Sequence, residues 1–305
     1  MNERRNINEE SILGPRYVTF ERYAIALVAF IAAGTLIIIA LWGPAGLNVI
    51  QYRTSQSGIY QTIAQDIVNV LLIVPLLLVG GALLALERDG AKYFLILPPI
   101  TLFYNGLAYG IGQEWSNSLY TGNVERYSVL FLVIIISGLI LGMGSLSLFS
   151  EHDAPSFNAR SLKIYVSVLS VFLLFFAVMW LSELVEVAAT GTTSSGAYDT
   201  APTAFWVVRY FDLGISIPVG FISLYMLMTR PKSAYPIILL FFGFFITLGT
   251  SVNAMAIVQL LSGDPEVAGA VVAGLVIFPI LGILAWGGLL YLLKEKIPFL
   301  RRSEN

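Results

Sequence analysis

The stretch AIALVAFIAAGTLIIIALW, residues 24–42, decides the fold. It is 19 residues without a charge, and a helix needs about 20 mostly apolar residues to cross the hydrocarbon of a bilayer. A cleaved signal peptide carries a shorter apolar core, about 7–15 residues, and a small-residue cleavage site. This run is longer and continues to Trp42, so it is read as a retained spanning helix. The charged segment before it includes Arg4, Arg5, Arg16 and Arg22.

The same pattern recurs outward along the chain. Apolar stretches at approximately 23–43, 61–86, 92–113, 127–150, 162–187, 205–229, 233–261 and 267–293 are each bounded by charge or by Gly/Pro/Ser-rich sequence. The sixth is the least clear, because Arg209 and Asp212 shorten its uncharged part. Of the 305 residues 57% are hydrophobic and 12% are charged, about half the charge of a soluble domain. Charge is scarce because a charged side chain at mid-bilayer costs at least about 2.5–3.5 kcal/mol. The expected fold is all-α: a polytopic membrane helix bundle of about eight transmembrane helices.

Lysine and arginine set the orientation. With the N-terminus in the cytoplasm, the inner side holds Arg4, Arg5, Arg16, Arg22, Arg88, Lys92, Arg160, Lys163, Arg230, Lys232, Lys294, Lys296, Arg301 and Arg302. The outer side keeps Arg53, Arg126 and Arg209. An odd number of crossings would scramble this bias, so both termini are expected in the cytoplasm. The division is a cytoplasmic segment 1–22, a four-helix half 23–150, a cytoplasmic loop 151–161, a second four-helix half 162–293 and a tail 294–305. Outer loops, such as 191–196 and the one carrying Asp264 and Glu266, are acidic or small and polar.

The halves look weakly alike. Helix 2 contains Pro75, exits at Glu87-Arg88-Asp89 and precedes a helix with Asn105. Helix 6 contains Pro218, exits at Thr229-Arg230-Pro231 and precedes a helix with Asn253. A 4+4 duplication would give parallel repeats, four being even; the general sameness of membrane helices is the competing account. Gly138 and Gly142 form a GxxxG step, which suits packing within the bundle better than dimerisation.

Composition closes off several chemistries. There is no cysteine and one histidine, which excludes disulfides, iron–sulfur clusters, thiol nucleophiles, Cys/His metal sites and a bis-histidine haem within one chain. No Walker loop, GxSxG elbow, HExxH or dinucleotide fingerprint is present. No catalytic residue, metal site or cofactor is assigned. The net charge of −2 and the lack of a long basic run point to no nucleic-acid partner. His152, in a charged loop, reads as surface.

The polar residues that remain lie in one layer. Asp212 is 17 residues from Thr229, about 26 Å along a helix, just inside the outer boundary of a core about 30 Å thick. Arg209 stands one turn further out on the same face. Asp66 and Asn69 share the outer end of helix 2, Glu114 ends helix 3, and Glu183 and Glu186 end helix 5. Arg209 is the lone cation of the layer and the natural partner of Asp212 or Glu183. Asn105 and Asn253 lie deeper, with Tyr104, Tyr109, Ser216 and Thr247 as neighbouring hydroxyls. Interfacial charges have an inexpensive structural explanation, because long side chains reach water from helix ends; that reading suits Glu114 and Glu186. Inter-helix hydrogen bonding explains the asparagines equally simply.

The run Trp206-Val-Val-Arg209-Tyr-Phe-Asp212-Leu-Gly-Ile-Ser-Ile-Pro218, with Thr229-Arg230-Pro231 and Ala254-Met-Ala-Ile-Val-Gln259 after it, resembles a group of uncharacterised prokaryotic multipass membrane proteins. In them an Arg-x-x-Asp-Leu-Gly-x-x-x-Pro helix precedes a basic hairpin and another span. The helix with Phe103-Tyr104-Asn105 is also similar to theirs. The resemblance covers the central and C-terminal two-thirds. It implies a bacterial or archaeal source and a plasma-membrane location, and brings no assigned reaction.

Three function classes follow. The first is a small-molecule or ion transporter, or a membrane-embedded binding protein, with its polar site in the outer half. Asp212 and Arg209 would form a switchable pair, Glu183 and Asp66 would be cation or proton sites, and Asn69, Asn105 and Asn253 would be neutral ligands. The second is a non-transporting membrane subunit or sensor whose polar groups satisfy one another. The third, an intramembrane enzyme using a carboxylate, has least support. The partners expected are the lipid bilayer and a small solute or cation, with a homo-oligomer or a partner subunit left open.

Overall fold

The computed structural model describes residues 15–263 and 274–296. The loop with Asp264 and Glu266, the N-terminal segment before Pro15 and the tail from 297 lie outside the described residues. Everything regular in the described part is helical. Helix α1 runs Pro15–Trp42, α2 Gln56–Val68, α3 Val74–Ala85, α4 Ala91–Leu95, α5 Pro99–Gly110 and α6 Ser128–Ser147. Then come α7 Ala159–Thr190, α8 Ala197–Thr200, α9 Pro202–Phe211, α10 Ile217–Thr229, α11 Pro231–Leu261 and α12 Gly274–Leu293. Helices α2 and α3 form one continuous span, as do α9 and α10. Seven spans among the described residues are long and apolar enough to cross a membrane.

The expected third span, 92–113, is not one helix. It is α4 and α5, separated at Ile96-Leu97-Pro98. The cause is Pro98-Pro99: neither proline has an N–H to return to the preceding turn, and Pro98 disfavours helix at Leu97. Pro99 instead opens α5, where its fixed φ suits a first turn. The two ends of this broken segment lie at opposite ends of the bundle. Lys92 pairs with Asp153 beyond the end of α6, whereas the Glu114 N–H donates to the Arg53 carbonyl in the loop between α1 and α2.

Two apolar cores hold the molecule. The first takes Ala29, Leu36, Leu77, Leu102, Phe131 and Ile134 from α1, α3, α5 and α6. The second takes Leu173, Leu224, Ile238, Phe242, Ala285 and Leu289 from α7, α10, α11 and α12. The break in the third segment joins them, since Ile96 and Leu97 lie in the second core. Small residues permit this. A Cβ on Gly243 of α11 would stand 2.1 Å from the Leu97 carbonyl oxygen, and one on Gly138 of α6 would stand 2.7 Å from that of Pro99. The Gly138 step of the GxxxG pair is therefore an internal contact. Helix α11 is the most buried span and α7 the least. One side of α7, including Val171, Phe175 and Val178, is exposed, as a lipid-facing helix requires.

The α2–α3 and α9–α10 spans each widen by one residue just before an internal proline. The Val74 N–H donates to the Asn69 carbonyl and the Ile217 N–H to the Asp212 carbonyl, i→i+5 in each case. Pro75 and Pro218 follow by one residue. A proline clashes with the carbonyl four residues back, and a single π-turn relieves that clash without ending the helix. Asn69 and Asp212 thus open matching distortions in the α2–α3 and α9–α10 spans.

Candidate functional site

Two polar clusters stand out among the described residues. The first is built around Asp66 and Asn69 on the distorted α2–α3 span, both 1% exposed. The Tyr109 hydroxyl donates to Asp66 Oδ1 at 2.9 Å. Asn69 Nδ2 reaches the same hydroxyl at 3.3 Å. Asn69 Oδ1 accepts from Asn105 Nδ2 at 2.8 Å and from Gln65 Nε2 at 3.0 Å, which fills both its lone pairs. Asp66 Oδ2 is buried without a hydrogen-bond partner. The cluster draws Asp66, Asn69 and Asn105 together as one site.

The second cluster is centred on α9 and the π-turn after it. Arg209 bonds the Glu183 carboxylate through Nε, at 3.0 Å, and through Nη2. Its guanidinium lies between two rings, 4.0 Å from the centroid of Trp180 and 4.1 Å from that of Phe205. Asp212 is 2% exposed and bonds elsewhere. Its Oδ2 accepts from Trp180 Nε1 at 2.9 Å, and its Oδ1 accepts from the Ser216 hydroxyl at 3.1 Å. Of the two acceptors open to Arg209, α7 supplies the one used. Arg209 and Asp212 are coupled through the Trp180 indole rather than by a direct ion pair.

Glu114 corrects the expectation of an interfacial side chain. It is 2% exposed and caps α9. Its carboxylate accepts from the N–H groups of Thr203 at 3.0 Å and Ala204 at 3.2 Å, and from the Thr203 hydroxyl at 3.1 Å. Those N–H groups have no partner inside their own helix, and the positive helix end suits a carboxylate. Glu186, half-buried near the end of α7, ties down the loop that follows by accepting from the N–H and hydroxyl of Ser194.

Asn253 does not join either cluster. Its Nδ2 donates to the carbonyls of Gly249 and, across the helix interface, Phe278, both at 2.7 Å. It fastens α11 to α12. Thr247 returns its hydroxyl to the Gly243 carbonyl of its own helix. Tyr104 packs edge-on against Phe211 at 4.8 Å and Phe244 at 5.5 Å, an aromatic contact where α5 meets α9 and α11. No hydrogen bond found among the described residues links the two clusters. The groove beside them, about 520 Å³, is lined by apolar groups of α5 and α9 including Leu107, Ile111, Trp206 and Tyr210.

Gln65, the indole N–H of Trp180 and Tyr52, whose buried hydroxyl has no hydrogen-bond partner and whose ring lies beside that of Tyr109, were not among the expected residues. Gln65 stands four before Asn69, a spacing that puts both on one helix face. Trp180 stands three before Glu183 in the same way. Tyr52, in the loop after α1, carries no local pattern. Among the described residues no group of three or more His, Cys, Asp or Glu side chains could hold a metal ion. Comparison of the chain with family models, with curated proteins and with solved structures finds no match.

Proposed function

We propose that this membrane protein is an ion or small-solute transporter, or a membrane-embedded binding protein, with its polar site in the outer half of the bundle. The observation that carries the reading is a set of buried carboxylates without basic partners. Asp66, Glu114 and Asp212 are each buried to within 2%, and none has a basic partner among the ion pairs of the described residues. An uncompensated buried charge costs several kcal/mol, and ionisable groups inside membrane segments mark ion and substrate paths.

On this reading the chain crosses eight times, counting α4–α5 as the third crossing. Both termini and the Lys92–Asp153 end face the cytoplasm; the Arg53 end faces out. The halves are parallel repeats, supported by the paired π-turns before Pro75 and Pro218. The switchable pair is Arg209–Glu183, with Asp212 as a second acceptor one turn along its helix. Rotation at the π-turn would exchange them. The family resemblance of the Arg209–Pro218 helix supports a bacterial or archaeal plasma membrane.

Flux in proteoliposomes tests this. Wild-type protein is expected to move protons, alkali cations or a small solute, and Asp66→Asn or Asp212→Asn to reduce that movement. Wild-type vesicles that move none of these, with both variants leaving ligand binding unchanged, would overturn it. The second reading, a non-transporting membrane subunit, draws on one observation: most polar groups of the two clusters are bonded internally. It predicts a stable co-purifying membrane partner.

A further inference from the structure

One oxygen in the first cluster is left over. Asp66 Oδ2 is buried and accepts no hydrogen bond, although every other polar atom of Asp66, Asn69 and Tyr109 named above is engaged. The Tyr52 hydroxyl is likewise buried and unpartnered. Its ring lies 5.6 Å from that of Tyr109. Burial first, and the Asp66 carboxylate second, push the Tyr52 phenol well above its ordinary value, so it is a neutral oxygen.

The remaining wall is the end of α1. Gly43 follows that helix, and an ideal Cβ on it would stand 3.0 Å from Asp66 Oδ2, 2.7 Å from the Ile39 carbonyl oxygen and 3.8 Å from that of Ala40. Glycine at 43 is what lets the carboxylate approach the helix end. Pro44 has no N–H to give Ala40, so that carbonyl lacks its usual i+4 donor. A helix C-terminus is the negative end of the macrodipole. The structure therefore sets a carboxylate against a negative helix end, with no basic group bonded to either.

From this geometry we propose that Asp66 Oδ2, the Ala40 carbonyl, the Tyr52 hydroxyl and the second lone pair of the Ile39 carbonyl, whose first accepts the Gly43 N–H at 2.7 Å, hold one small alkali-metal cation. Hard oxygen donors suit such an ion, and helix C-terminal carbonyls are used this way in membrane transporters. A single carboxylate among neutral oxygens balances one positive charge, whereas divalent ions gather several carboxylates or keep their water. The site lies beneath the outer loops. The Gln51 N–H donates to Asn123 Oδ1 at 2.9 Å and Arg53 pairs with Glu125 at 3.0 Å, so an entering ion passes this cover. The proposal rests on reading the Asp66 cluster as a ligand site rather than as packing.

Equilibrium binding of radioactive sodium ion to full-length protein in detergent tests it, alongside thermal unfolding in sodium chloride against choline chloride at equal ionic strength. Wild type is expected to bind saturably near one ion per chain and to unfold at higher temperature in sodium. Asp66→Asn should weaken binding by at least roughly tenfold, the loss of a charged ligand, and remove the sodium-specific shift. Tyr52→Phe keeps the packing and should weaken binding by about threefold to tenfold. Gly43→Ala should abolish it.

No saturable binding and no sodium-specific shift in the wild type would overturn the proposal. So would full binding in a folded Asp66→Asn protein. Stability that follows pH but not sodium, with the dependence lost in Asp66→Asn, would mean that a proton occupies the oxygen and the alkali-ion site is wrong. Indifference to both would leave only a buried water. Sodium binding without flux in vesicles would sink the transport reading and leave this site standing. Flux of another solute without sodium binding would do the reverse.

Discussion

The carbonyl oxygen of Leu97 lies against the bare Cα of Gly243, where a Cβ would stand 2.1 Å away. This contact threads the break of the third segment into the second core. Neither side can yield easily, because Leu97 is 5% exposed and its neighbours Ile96 and Phe242 are fully buried. Gly243→Ala is expected to cost about 2 kcal/mol or more through overpacking. Gly287→Ala on α12 is the control. Nothing lies within 4 Å of its Cβ position, so helix propensity should make it neutral or stabilising by up to about 1 kcal/mol. Thermal unfolding in detergent separates the two; equal midpoints would refute the contact.

Trp180 carries two jobs in the second cluster. Its N–H serves Asp212 and its ring faces Arg209. Trp180→Phe keeps an aromatic face and removes the donor. It should cost about 1.5–3 kcal/mol, as for a hydrogen bond to a charged group. Asp212→Asn alone removes the charge the N–H serves. In the double variant the losses should fall short of their sum by about 1 kcal/mol or more. Strict additivity would show that the indole N–H and Asp212 do not interact.

Lys92 and Asp153 close the opposite end at 2.5 Å, with side chains 16% and 14% exposed. Burial raises the Asp153 carboxyl, but the Lys92 ammonium and the Ser150 N–H and hydroxyl outweigh it and hold the group below its ordinary value. A folded pKa below the unfolded one adds stability that is complete well above about pH 4. That stability is lost as pH falls through the unfolded value and on through the folded one. Asp153→Asn should cost about 1–3 kcal/mol at neutral pH and flatten the acid limb of a stability–pH curve. A wild-type and variant limb of the same slope would count against the pair.

The spans were readable because exclusion of charge from hydrocarbon acts on composition, which needs no knowledge of neighbours. Helix ends moved by up to eight residues, as at Pro15, where α1 starts eight before the expected position. The break at Pro98-Pro99 was visible as two letters but masked by the apolar average around them. The π-turns follow from Pro75 and Pro218, yet the choice of i→i+5 over a kink is settled by packing. The polar residues of the spans were visible as letters; their pairing was not. Arg209 faced two acceptors in sequence terms, and only the approach of α7 selects Glu183. Asn253 looked like Asn105, but its helix turns it towards Phe278. Tyr52 sits in a loop, where no periodicity reports that a side chain is buried.

Glu114 joins the loop after α5 to the start of α9 and is the sharpest single test of how α9 is held. It lies in the loop after α5, its own N–H bonded to the Arg53 carbonyl, and its carboxylate takes the Thr203 and Ala204 N–H groups that open α9. Glu114→Ala would leave buried donors unpaired and remove a favourable charge at a helix N-terminus. Those losses together should cost about 2–4 kcal/mol. Glu114→Gln retains an acceptor oxygen without the charge, so about half the loss should remain. Because the released element is α9 with the connection before it, protease cleavage between Gly191 and Ala201 should rise in Glu114→Ala and only slightly in Glu114→Gln. Cleavage and unfolding that both match the wild type would mean that α9 is positioned by its apolar face alone.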